Sequence, residues 1–140
     1  MSISKIALLY LLTIPVFFII DMIWLGVVAK NFYRRILSTF LSEKVNWPAA
    51  IIFYLLFIIG ILIFAVLPGL ARNALGYALL YGALFGFFTY ATYDLTNLAT
   101  LKDWPMIIVV VDIIWGAILS ASVATVSFLI GKWLNLTPSG

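Results

Sequence analysis

A chain of 140 residues with 66% hydrophobic residues, 9% charged residues and a mean hydropathy of +1.22 lies far outside the soluble average of about 25% charged. This is an integral membrane protein with room for one domain, residues 1–140, and none for a separate soluble module. The net charge of +3 sits in loops, where it bears on orientation and anionic headgroups rather than nucleic acid, and the absence of Cys excludes disulfides, thiolate nucleophiles and Cys-based metal sites.

The first apolar run, residues 5–29, is long enough to cross a bilayer, which needs about 20 mostly apolar residues. Lys5 before it suggests a secretory signal. Against that, the run exceeds a signal core, contains Asp21 and lacks a small-x-small cleavage site before Lys30, so it is expected to be retained. The loop that follows sets Phe32, Tyr33, Ile36, Leu37, Phe40 and Leu41 at helical spacing opposite Lys30, Arg34, Arg35 and Lys44. That spacing predicts an interfacial helix over 31–43, with a basic connector as the alternative.

Three more spans are expected at residues 48–67, 74–101 and 105–131. Trp47-Pro48 and Trp104-Pro105 each set an interfacial aromatic beside a Pro tolerated in a first helical turn, and Pro68-Gly69 stops the second span. Lipid cannot satisfy open backbone groups and no segment alternates with period two, so the fold class is all-α, an integral membrane four-helix bundle. Gly82 with Gly86, and Gly116, Ser120 and Ala124, form small-residue stripes for close helix contacts within the bundle or between protomers. Tyr10, Trp47, Trp104 and Trp133 have the positions of an aromatic belt.

Lys30, Arg34, Arg35, Lys44 and Lys102 border the loops after spans one and three, against Lys5, Arg72 and Lys132 on the other side, which favours those loops in the cytoplasm. Asn46-Trp47-Pro48 matches Asp103-Trp104-Pro105, and Phe17-Phe18 precedes Asp21 as Phe87-Phe88 precedes Asp94. Two repeated helical hairpins would produce such matches, and so would chance.

Asp21, Asp94 and Asp112 lie inside apolar runs, while every Lys and Arg lies at or beyond the run ends and no His exists. Each such acid costs at least about 2.5–3.5 kcal/mol in hydrocarbon. Asp21 is nine residues before Lys30, Asp94 eight before Lys102, and Asp112 seven after Pro105. At 1.5 Å per residue all three fall about 10–14 Å inside one membrane face. Tyr54 reaches the same depth, and Trp24, Tyr90, Asn97 and Trp115 lie three or four residues from an acid on their own helices. The expected polar layer is Asp21, Tyr54, Tyr90, Asp94, Asn97 and Asp112, walled by Trp24 and Trp115, with Thr89, Thr92, Tyr93 and Thr96 extending it around the third helix.

The strings Asp21-Met-Ile-Trp-Leu-Gly-Val-Val-Ala-Lys-Asn-Phe-Tyr33, Tyr90-Ala-Thr-Tyr-Asp-Leu-Thr-Asn-Leu-Ala-Thr-Leu101 and Asp112-Ile-Ile-Trp-Gly116 resemble those of the small bacterial membrane proteins grouped as domain of unknown function family 2177. The resemblance runs along essentially the whole chain. It implies a bacterial inner-membrane protein of four spans, with polar motifs at Asp21, Trp24, Gly26, Tyr90, Tyr93, Asp94, Thr96, Asn97, Asp112, Trp115 and Gly116, and it supplies no activity.

Three functions are compatible with these residues. The acidic layer binds or transports a cation, a proton or an amine or lipid headgroup, in which case a homo-oligomer is expected because four helices enclose little space. Alternatively, Asp94 or Asp112 acts as general acid or base on a lipid or isoprenoid, assisted by Tyr90 or Tyr93. In the third case the acids only lock helices in a structural or accessory subunit, each polar contact contributing about 0.6 kcal/mol. No cofactor is specified, and one divalent metal held by an Asp from each of three helices is compatible with the spacing.

Overall fold

The computed structural model describes residues 1–138, and among them every regular element is a helix. Helix α1, Ile3–Ile23, continues through a π-helical turn, Trp24–Val28, to complete the first span. The short α2, Lys30–Ile36, follows at once. The second span comprises α3, Trp47–Ile61, a second π-helical turn, Leu62–Val66, and α4, Leu67–Ala71. The third and fourth are α5, Leu75–Thr100, and α6, Met106–Trp133. All four spans are long and apolar enough to cross a bilayer.

The start of α3 follows from local chemistry. The Asn46 side chain accepts the Ala49 N–H at 3.2 Å, and Pro48 occupies a position where no N–H is required. The second span runs past Pro68 to Ala71 instead of stopping there. Proline clashes with the carbonyl four residues back, here Phe64, and leaves it without a donor. Phe64 lies in the π-helical turn, whose wider winding accommodates the ring and lets the helix go on.

Helix α6 is the centre of the bundle and touches every other span. Its tightest neighbour is α5. A Cβ placed on Gly82 would lie 2.6 Å from the Ala124 Cβ, one on Gly86 would meet the Gly116 carbonyl and lie 2.5 Å from Ser120 Oγ, and one on Gly116 would run into the Tyr90 ring. The pairs Gly82/Ala124, Gly86/Ser120 and Tyr90/Gly116 therefore advance along one antiparallel register in steps of four residues on each helix. Small residues at this seam let the two backbones approach where lipid supplies no hydrophobic drive.

The first span packs on α6 from the other side. Thr13 Oγ1 and Ser127 Oγ are 2.7 Å apart in a fully buried contact, and Tyr10 O–H donates to the Leu55 carbonyl of α3 at 3.0 Å. Phe17, Ile58, Ile61, Leu70, Leu119 and Phe128 fill the space between. The two hairpins are packed unequally, since α5 and α6 meet along their length while the first and second spans meet sparsely. Their matched tryptophans differ too, with Trp47 62% exposed and Trp104 only 7%.

Gly86→Ala is expected to destabilise the protein by about 1–3 kcal/mol, the usual cost of overpacking, because backbone stands where the methyl must go. Gly76→Ala, whose Cβ would meet nothing within 4 Å, is expected to stay within about 0.5 kcal/mol of the parent. Unfolding of the purified protein in detergent compares the two, and equal effects would show that the seam is slack.

Candidate functional site: an aspartate pair beneath an aromatic cap

One more four-residue step along the α5/α6 register brings Asp94 level with Asp112. The two carboxyls are neighbours, with the Trp104 indole beside Asp94. Asp94 is completely buried, and neither of its oxygens has a hydrogen-bond partner. Trp104 Nε1 is also buried and unpartnered, so indole and carboxyl approach each other without bonding geometry. No Lys or Arg contributes to the surroundings of Asp21, Asp94 or Asp112.

Asp112 is covered by a residue from the first loop. Tyr33, on α2, donates its O–H to Asp112 Oδ1 and accepts the Trp24 indole N–H at 3.3 Å. Burial first, and then Asp112, hold the Tyr33 phenol above its ordinary pKa, so it remains a donor. Trp24 stacks on Trp115 of α6 at 4.5 Å and 10°. Phe32, Ile36 and Leu37 pack against Trp104, Ile108 and Val109, so α2 is seated on the bundle rather than apart from it in the interface. The helix ends at Ile36 and its C-cap Leu37, and Phe40 reaches back to Trp104 with ring centroids 5.1 Å apart.

Asp21 stands apart from the pair. Its carboxyl faces Trp115 and the Tyr54 phenol. Tyr90 lies between, within electrostatic reach of all three acids and of Tyr54. The expected layer is thus a pair and a single acid on either side of Tyr90. Among the described residues no group of three Asp, Glu, His or Cys is arranged to hold a metal ion, so one metal shared by three helices finds no cage here.

Other expected members lie outside this core. Tyr93 is 55% exposed and turns an edge to Trp104, and Asn97 beside it is half-buried. Thr89, Thr92 and Thr96 donate to carbonyls of their own helix and do not extend the layer. Conversely, Trp104 and Tyr33 belong to the site although position suggested a belt residue and an interfacial helix. For Tyr33 the available signal is the apolar face it shares with Phe32 and Ile36, which docks on protein as readily as on lipid. Trp104 follows a turn in which Asp103 takes a left-handed conformation, φ 59°, that Asp tolerates.

A family model described as predicted membrane protein (DUF2177) matches residues 6–129, a stretch that contains every residue of this site. The chain belongs to that family. No curated protein and no solved structure matches it. What the DUF2177 match and the four apolar helices establish together is a membrane protein embedded in a lipid bilayer.

Tyr33→Phe removes the donor to Asp112 and the acceptor for Trp24, and is expected to cost about 1–3 kcal/mol locally, the penalty for a buried polar group left unpaired. Hydrogen exchange should speed up in α2 with the α5/α6 seam unchanged. Unaltered protection of α2 would show that its apolar face alone holds it.

Proposed function

We propose that this protein binds a proton at the Asp94–Asp112 pair and acts as a proton-binding or proton-transport protein of the bacterial inner membrane. The observation that carries this is the Asp94 carboxyl, fully buried, unpartnered at both oxygens and beside a second carboxyl with no base in reach. Two adjacent carboxylates in hydrocarbon repel each other, and each charge is costly. One shared proton removes half the charge and gives Asp94 the O–H···O partner it lacks, while Asp112 keeps the bond from Tyr33.

The character of the neighbours supports a proton over other cations. Tyr33 O–H beside Asp112 and Trp104 Nε1–H beside Asp94 are donors, suited to a carboxyl whose charge changes. A metal cation or an amine calls for acceptors, and hard cations take six or more oxygens. The carboxyls also lie within packed helices, with Tyr33 bonded over Asp112 and Trp24 bonded to Tyr33 on the first-loop side. A proton can pass along a hydrogen-bonded chain, whereas an organic amine entering on that side would displace both aromatics.

Infrared difference spectra across a pH titration should show a carboxyl band that is diminished in both Asp94→Asn and Asp112→Asn but retained in Asp21→Asn. In proteoliposomes carrying an internal pH dye, a pH step should dissipate through the parent protein and about 100-fold more slowly through Asp94→Asn, the low end for a positioned proton-transfer group. A band unchanged in both variants would remove the pair from proton binding. Stabilisation by sodium or ethylammonium that Asp94→Asn abolishes would replace the proton with that cation.

A further inference from the structure

On the opposite side of α5 from the carboxyl pair, a groove of about 620 Å³ runs between the second and third spans, walled by Ile63, Phe64, Pro68, Tyr77, Leu84 and Phe88. We propose that it is a binding site for one anionic phospholipid, with an acyl chain lying in the groove and the phosphate against Arg72. This site shares no residue with the carboxyl pair and stands independently of the proton reading.

The groove is lined mainly by apolar side chains, and its phenols, Tyr77 and Tyr81, stack on each other at the Arg72 end. Its threonines, Thr89 and Thr92, already donate to Phe85 O at 2.8 Å and Phe88 O at 2.6 Å. The α5 residues that line it run from Tyr77 to Thr92, a rise of about 22 Å, which matches an extended hydrocarbon chain rather than a compact molecule. Phe64 and Phe88 are about three-fifths exposed and flank it like rails, so a chain enters sideways from the bilayer without crossing water. Ile63 and Phe64 belong to the π-helical turn of the second span, and such turns recur at functional sites.

A charge waits at one end. The Arg72 guanidinium lies over the Tyr77 ring, with Cζ 4.4 Å from its centroid, and Nη1 donates to the Pro68 carbonyl at 3.1 Å. Two residues that line the groove therefore hold the cation at its mouth, and its remaining N–H groups are of the kind that grip phosphate. This face of the molecule carries Lys5, Arg72 and Lys132, while all five acids lie in the spans or the first and third loops. A second copy docked here by a two-fold axis would bring the same basic edge against itself, whereas an anionic headgroup complements it.

The test uses the full chain in detergent with added phosphatidylglycerol or phosphatidylcholine of identical acyl chains, read by native mass spectrometry and thermal unfolding. Phosphatidylglycerol should be retained one to one and raise the melting temperature. Arg72→Gln should weaken it roughly fivefold, as expected for one basic group at an anionic surface, and weaken phosphatidylcholine, whose choline offsets the phosphate charge, less. Leu84→Trp, which fills the groove, should weaken both lipids. Equal binding of the two lipids by the parent protein, or unweakened phosphatidylglycerol binding by Arg72→Gln, overturns the proposal. So does a lipid-free dimer that Leu84→Trp dissociates, which would make the groove an interface between copies.

Discussion

The backbone contact between α5 and α6 governs the rest of the molecule. Gly86 and Gly116 leave no room for a methyl between the helices, so the two chains settle into one register and repeat it every four residues. Gly82 meets Ala124, Gly86 meets Ser120, Tyr90 meets Gly116, and the next step sets Asp94 beside Asp112. A slip of one residue in either helix would turn one carboxyl away by about 100°, a helix having 3.6 residues per turn. The acid pair is therefore a product of glycines one to two turns distant from each acid. Those glycines contribute no chemistry of their own.

Around that seam the two ends of the bundle have opposite characters. Towards the first and third loops lie the carboxyls, the phenols and the indoles, closed over by α2 and by the Trp24–Trp115 stack. Towards the other face the interior is nearly hydrocarbon, relieved by the Thr13–Ser127 contact and ending in a basic rim. Both π-helical turns sit where a span has to depart from a regular cylinder. One directs Trp24 onto Trp115 just after Asp21, and the other admits Pro68 and lines the lateral groove.

Hydropathy and end signals made the four helices legible, and residue counts from the loops put the three acids at one depth. Those properties are local to each segment. The grouping of the acids was not legible, because it depends on rotation and register between helices. Asp21 is as deep as the others by count, yet it faces Tyr54 and Trp115 rather than the pair. Trp104 occupies the sequence position of a belt residue, but it is buried against Leu37, Ile108 and Val109. Tyr33 belongs to a loop and becomes part of the site only because α2 folds onto the bundle. The π-helical turns leave no mark on apolar periodicity, since lipid-facing and core-facing positions alike are hydrophobic in the second span.

The off-centre depth of the carboxyl pair has an electrical consequence. Asp112 is seven residues into the membrane from Pro105, about 10 Å of a hydrocarbon layer near 30 Å. A charge moving between the pair and the nearer aqueous phase crosses about one third of the transmembrane field, and one moving to the farther phase crosses the remaining two thirds. With the full drop worth about 2.3 kcal/mol per 100 mV, the two routes feel the membrane potential unequally. Under the proton reading proposed above, occupancy of the pair set from the near side is only weakly sensitive to voltage, while passage to the far side carries most of the electrical work.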